Sequence, residues 1–444
     1  MSAMSEQVDH SIGDSRASIL RRLSRNAMTI IGGNGIAMLM GVGALSLNVR
    51  GLGASAFGVF AMIQAYATVM ERIFSFDTWQ PLIRLGAKAL AEEDRARFRE
   101  ILLVAVVFDL IAAFTCGVAA VGIAWFAGGY VGIAPDYAAL AALYSAALFF
   151  SIGGAPVGLF RLLNRFSFLT TLQIFYAAAR LAIAGALFHF QAGLQAYVYA
   201  YALVAVAYNV HLIAASAVFF VRSGGRLSAQ GFRGAWRSLR GEYWSFSWAT
   251  NITSTINILR QNADLFLLGY FAGPAAAGIY QVASRIAQIP SRISDPIQQA
   301  VYPELAKLAG NGRQSEILYY VLRLGGLCGL IAIAALLTVV FFGGEISMLV
   351  GGARFVEARE PLILLMIAFM FSLSGVALRP AIMSTVGPKF MLMVYVIAFG
   401  LFVVVAPLAI QRFGLFGAGA SQIVFNAVWF TLMLAQLLVA WRRR

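Results

Sequence analysis

Twelve apolar runs dominate this 444-residue sequence. Each is long enough to cross the ~30 Å hydrocarbon core of a bilayer, which takes roughly 17–25 residues of helix. They lie near 27–49, 58–80, 101–125, 138–160, 168–190, 194–221, 244–269, 278–303, 318–342, 361–385, 390–411 and 416–440, the second and eighth interrupted by charges. Hydrophobic residues make up 61% of the chain and charged ones 12%. A soluble protein carries about 25% charged residues, so this chain has too little polar surface and lipid must cover it. The expected fold class is an all-α membrane protein of about twelve transmembrane helices.

The net charge of +14 suggests nucleic acid until its distribution is read. Twenty-two of the 33 basic residues fall in alternate gaps, four (Arg50, Arg354, Arg359, Arg412) in the others, and seven inside the runs. That asymmetry is the positive-inside pattern and predicts that both termini are cytoplasmic. No nucleic-acid partner is expected. The N-terminal segment is polar and ends in Arg16, Arg21, Arg22 and Arg25, and the run behind it is too long for a cleaved signal peptide. Cys116 and Cys328 lie within apolar runs and read as packing residues. With no phosphate loop, nucleophile elbow or metal-ligand cluster, no enzyme activity, metal or cofactor is expected.

An internal repeat runs at an offset of 220 residues. GASAFGVF at Gly53–Phe60 matches GPAAAGIY at Gly273–Tyr280, and each span of the first half lands on one of the second. The implied organisation is a cytoplasmic tail (1–26), an N-lobe (27–221), a cytoplasmic linker (222–243), a C-lobe (244–440) and a basic tail (441–444). Six spans per half is an even number, so both halves insert with the same orientation, as in transporters whose lobes rock around a central site.

Charged residues inside spans cost about 2.5–3.5 kcal/mol each on insertion scales, so they face a partner or water. Seven arginines stand against five acids there. Arg72, Arg260, Arg285 and Arg292 are candidate contacts for an anionic phosphate group, because a guanidinium fork matches its oxygens bidentately. Arg260 with Asp264, and Arg292 with Asp295, could equally pair along one helix face. Glu71, Asp77, Asp109 and Asp264 are candidate coupling carboxylates, with paired or interface-level acids as the alternative. Asn34 in the first span and Asn251, Ser254, Asn257 and Gln261 in the seventh form polar stripes that would line a cavity, or join packed helices. Pro290, Pro296 and Pro303 predict a kinked or broken eighth span. Arg323 and Arg379 are assigned to cytoplasmic helix ends.

RGLGASAFGVFAMIQAY after the first span and NADLFLLGYFAGPAAAGIYQVASRIAQIP at Asn262–Pro290 resemble bacterial polysaccharide exporters of the Wzx type, in the multidrug/oligosaccharidyl-lipid/polysaccharide superfamily. The resemblance implies a MATE-like fold of two six-helix lobes in the bacterial inner membrane. It also implies that an undecaprenyl-pyrophosphate-linked oligosaccharide is flipped for O-antigen, exopolysaccharide or capsule assembly. A polysaccharide polymerase and its chain-length machinery would be partners. A drug or metabolite antiporter of the same fold is the rival reading, and a membrane polymerase or ligase is another.

Overall fold

A computed structural model describes residues 16–222, 236, 251, 255–256, 258–291, 294–311 and 313–442. The expected linker lies largely outside these residues, as do residues 1–15 of the expected N-terminal tail and 443–444 of the expected C-terminal tail. Everything regular among the described residues is helical. In chain order the helices are α1 (Arg16–Phe74), α2 (Trp79–Ala91), α3 (Arg95–Ala127), α4 (Ala138–Ala146), α5 (Gly154–Leu162), α6 (Phe166–His189) and α7 (Leu194–Arg222). There follow α8 (258–271), α9 (Gly273–Ser291), α10 (Ser294–Gly310), α11 (Gln314–Gly351), α12 (Arg359–Ser374), α13 (Leu378–Thr385) and α14 (Pro388–Arg442).

Seven helices among the described residues are long and apolar enough to cross a membrane, or eight when the bent pair formed by α12 and α13 is counted. Two of the seven contain a non-helical glycine, Gly53 in α1 (φ 71°) and Gly414 in α14 (φ 54°), which divides each into two spans. That makes ten. The more polar α8 and α9, the seventh and eighth expected spans, make twelve. Gly53 and its repeat counterpart Gly273 (φ 85°) both adopt left-handed backbone, which costs a residue with a Cβ about 1 kcal/mol or more.

The surface is inverted relative to a soluble protein. Phe126, Leu203, Phe341, Leu349 and Val404 are all exposed, as lipid-facing side chains must be. Cys116 and Cys328 are free and buried, as their setting predicts.

The chain divides into two compact units, Met1–Leu47 with Ile63–Leu259, and Asn48–Met62 with Arg260–Arg444. In the first unit α2 packs on α3 and α5, and α3 on α4; in the second α10 packs on α11 and α13, and α11 on α12. These neighbours correspond at the repeat offset. Within the second unit the residues 54–58 cross α9 at backbone contact. A Cβ on Gly58 would strike the Pro274 carbonyl, and one on Gly278 would strike the Ala54 carbonyl. Both pairs are related by the same 220-residue shift, so the repeat is written into the packing as well as the sequence.

Candidate functional site

In the first unit the charged end of the second span is built around a break. α1 stops at Phe74, and Asp77 takes a left-handed backbone with φ 47°, which is costly for a residue with a Cβ. Arg72 holds it there, its Nη1 2.8 Å from Asp77 Oδ1. The helix end leaves carbonyls without helical partners. Asn251 Nδ2 donates to the Ser75 carbonyl and, at 3.3 Å, to that of Arg72, and Thr255 Oγ1 also donates to Arg72 O at 3.3 Å.

Just beyond, Thr78 Oγ1 donates to Asp109 Oδ1 at 2.5 Å, and the Ala155 N–H donates to Asp109 Oδ2 at 2.6 Å. Asp109 lies mid-way along α3 and is 6% exposed. Without donors a carboxylate buried this far would cost several kcal/mol. Gly154 permits the approach, since a Cβ there would collide with Thr78 Oγ1 and press on the Asp109 carboxylate. Ser151 Oγ donates to Glu71. Glu71, Arg72, Asp77, Asp109, Ser151 and Gly154 line a cavity of ≈ 340 Å³, walled also by Trp79, Tyr208 and Asn209. Three carboxylates face one guanidinium in it, so its lining is acidic.

The second unit is built with the opposite bias. Arg260 and Asp264 stand one turn apart on α8, with Gln422 of α14 between them. Its Oε1 accepts from Arg260 Nη1 at 3.0 Å, and its Nε2 donates to Asp264 Oδ2 at 2.6 Å. Tyr280 on α9 donates to the same carboxylate oxygen at 2.5 Å. Asp264 Oδ1 is buried with no hydrogen-bond partner among the described residues. The Arg260 guanidinium lies 4.6 Å from the centre of the Phe425 ring. One turn along α14, Trp429 carries Arg379 over its ring at 5.3 Å, and Tyr395 carries the same guanidinium at 5.2 Å. Arg379 does stand at a helix end, in the first turn of α13, yet its charged group packs inside the unit. Arg323 is exposed and donates to Tyr319 Oη at 2.9 Å.

Of the candidate residues, Glu71, Arg72, Asp77 and Asp109 come together in the first unit, and Arg260 with Asp264 in the second. Arg285 is exposed on α9, as are Asn34 on α1 and Gln261 on α8. Asn251 is buried and spends its amide on the end of α1. Ser254, Asn257 and Arg292 lie outside the described residues. On either side of residues 292–293 the eighth span is helical as α9 and α10. Thr78, Tyr280 and Gln422 were not singled out by the sequence. Tyr280 carried a signal, because its repeat counterpart is Phe60 and the added hydroxyl is the group that reaches Asp264.

Residues 23–309 match the family described as polysaccharide biosynthesis protein. The chain belongs to that family. Among its relatives is the inner membrane protein YghQ of Escherichia coli (strain K12), 25% identical over 348 residues that cover 77% of this chain and 95% of that protein. The fold matches the lipid II flippase MurJ in its inward closed conformation, with TM-score 0.71 and 11% identity over 92% of this chain and 87% of that one. It also matches an inward-facing multidrug resistance MATE family transporter of the MOP superfamily, with TM-score 0.68 and 13% identity over 95% and 98% of the two chains. The resemblance to Wzx-type members of the MOP superfamily holds at this level. This member of the polysaccharide biosynthesis family is a multi-pass all-α membrane protein with a transporter fold.

Proposed function

We propose that the protein flips an undecaprenyl-pyrophosphate-linked oligosaccharide across the bacterial inner membrane, serving O-antigen or exopolysaccharide assembly. Both termini are cytoplasmic in this reading, and lobes 27–221 and 244–440 alternate access around the substrate. The observation that carries it is the basic cluster of the second unit in a chain of this family. Arg260 and Arg379 outnumber Asp264 there, and Gln422 and Tyr280 already occupy one oxygen of that carboxylate. A surplus of guanidinium suits an anion and disfavours a cationic substrate. Arg260 then contacts the pyrophosphate while the prenyl tail stays in lipid. Arg72 instead neutralises Asp77. Asp109, in the acidic cavity, is the coupling carboxylate for a proton or sodium gradient. No covalent chemistry is assigned to the chain; polymerase and chain-length proteins would act on the glycan after it has crossed.

One feature favours a rival. A cavity of ≈ 340 Å³ walled by Glu71, Asp77, Asp109 and aromatic rings suits an organic cation, as a drug antiporter requires. Proteoliposomes separate the two readings. Lectin-detected crossing of a prenyl-pyrophosphate oligosaccharide, with no efflux of cationic dyes, supports the flippase. Dye efflux without glycolipid crossing, for glycans spanning several repeat-unit types, overturns it.

A further inference from the structure

Arg180 is one of the seven arginines within spans, and neither cluster described above contains it. It lies near the middle of α6, a helix of 24 residues that is long and apolar enough to cross a membrane. Its side chain is exposed, and among the described residues it makes no hydrogen bond or ion pair. Hydrocarbon penalises a bare ion at that depth, so this face of α6 meets water or a polar ligand.

The surroundings, all within the first unit, are aromatic. Tyr176, one turn back on α6, donates its hydroxyl to the Ala207 carbonyl of α7 at 2.8 Å. Its ring packs edge-on against Tyr208, with centres 5.3 Å apart and planes at 89°. Tyr208 is half-buried, and its hydroxyl makes no hydrogen bond among the described residues. With Asn209 it walls the cavity that Glu71 lines. Tyr208 and Tyr144, the latter near the end of α4, both feel the charge of Arg180 and the charge of Glu71. Those two charges form no ion pair with each other. Ser151 occupies one oxygen of Glu71, and the other has no partner among the described residues.

At this edge of the cavity an ion of either sign is disfavoured. A cation meets Arg180 and an anion meets Glu71, each a like charge in a poorly hydrated setting. A hydroxyl both donates and accepts, so neighbouring hydroxyls of one ring can give to the carboxylate and take from the guanidinium. The apolar C–H face of such a ring covers an aromatic side chain, and a wall of rings with a few placed polar groups is the usual make-up of a small-molecule site. We infer that Arg180, Tyr208 and Glu71 form the seat of an uncharged pyranose ring of the glycan, a sugar subsite in the first unit; the inference rests on the flippase reading and names what this edge of the cavity recognises. The pyrophosphate takes no part in it.

The test uses the full chain in phosphatidylcholine nanodiscs. The probes are farnesyl pyrophosphate and three derivatives with glucose, galactose or N-acetylglucosamine on the terminal phosphate. Thermophoresis gives each affinity, and a melting curve without ligand gives stability. At least one sugar is expected to raise affinity over the bare lipid about 10- to 100-fold, the contribution of one or two hydrogen bonds to charged groups. Arg180→Gln should remove about tenfold of that gain and leave binding of bare farnesyl pyrophosphate unchanged. Tyr208→Phe keeps the ring and should remove about 2- to 10-fold, the contribution of one hydroxyl. If Arg180→Gln melts lower than wild type, Tyr208→Phe decides in its place. No gain from any of the three sugars, or a gain unchanged in both variants, overturns the seat and leaves the flippase reading standing. An equal loss for bare and glycosylated lipids, at unchanged melting temperature, also overturns it and hands Arg180 to the pyrophosphate. Arg180-dependent binding of the corresponding methyl glycosides, with no binding of any prenyl pyrophosphate, keeps the seat and removes the flippase reading.

Discussion

Tyr280→Phe isolates one hydroxyl in the polar cluster of the second unit. The Tyr280 oxygen donates to Asp264 Oδ2 at 2.5 Å, and both residues are 2% exposed. The ring itself should keep its packing, since the first repeat already carries phenylalanine at the corresponding Phe60, buried at 1% exposure. A hydrogen bond to a charged group is worth about 1.5–3 kcal/mol, and one to a neutral group about 0.5–1.5 kcal/mol. Asp264 keeps Gln422 as a donor after the change, but among the described residues Oδ1 has no partner that could compensate. We therefore expect a destabilisation of about 2 kcal/mol if the carboxylate is ionised. Equilibrium unfolding by SDS in detergent micelles measures it, and the background Asp264→Leu closes a double-mutant cycle. In that background the hydroxyl should contribute about 0.5 kcal/mol or less, because its acceptor is gone. An equal cost in both backgrounds would refute the reasoning and place the effect of Tyr280 in ring packing.

Gly154→Ala forces a Cβ against Thr78 and the Asp109 carboxylate and should cost about 1–3 kcal/mol by overpacking. Gly153→Ala meets no atom within 4 Å and serves as the control; equal melting temperatures for the two variants would contradict the packing argument. Asn251→Ala withdraws the amide from the Ser75 and Arg72 carbonyls, and a loss of about 1–2 kcal/mol in the same SDS titration is expected. Asp109→Asn removes one charge from the acidic cavity. Its proteoliposomes should transport without response to an imposed proton or sodium gradient, and a retained gradient response would exclude Asp109 as the coupling group.

The spans were legible because hydropathy over a window of about 20 residues needs no knowledge of partners. Their joints were not. The sequence separates the first two spans by a gap at 50–57, whereas the chain turns at the single residue Gly53 and is helical on both sides. Arg50 and Ser55 lower hydropathy without ending the helix. The expected fourth span, 138–160, is likewise α4, a 3₁₀ turn at Ala147–Phe150 and α5. That break is what aims the Ala155 N–H at Asp109. Charged site residues announced themselves by their rarity inside apolar runs. Their neutral partners Thr78 and Gln422 did not, because a hydroxyl or amide is common in membrane helices and its role depends on which helix it meets.

The repeat explains the packing and fails at the chemistry, and the failure has a physical logic. At the 220-residue offset Asp109 corresponds to Gly329 and Gly154 to Ser374. Those two residues still pack closely, a Cβ on Gly329 falling 2.9 Å from Ser374 Oγ, but no carboxylate is there. Asp264 corresponds to Ala44 and Tyr280 to Phe60 in the other direction. Each repeat therefore keeps the shared helix contacts and holds its carboxylate at a position where the other has none. Duplicating both clusters would bury twice the charge, at several kcal/mol for every ion not fully satisfied. An acidic cavity in one unit and a guanidinium-rich cluster in the other avoid that doubled cost. On the proposed function, opposite signs at non-equivalent positions would let a cation and an anion be sensed by separate parts of one repeated scaffold, which a symmetric pair of sites could not do.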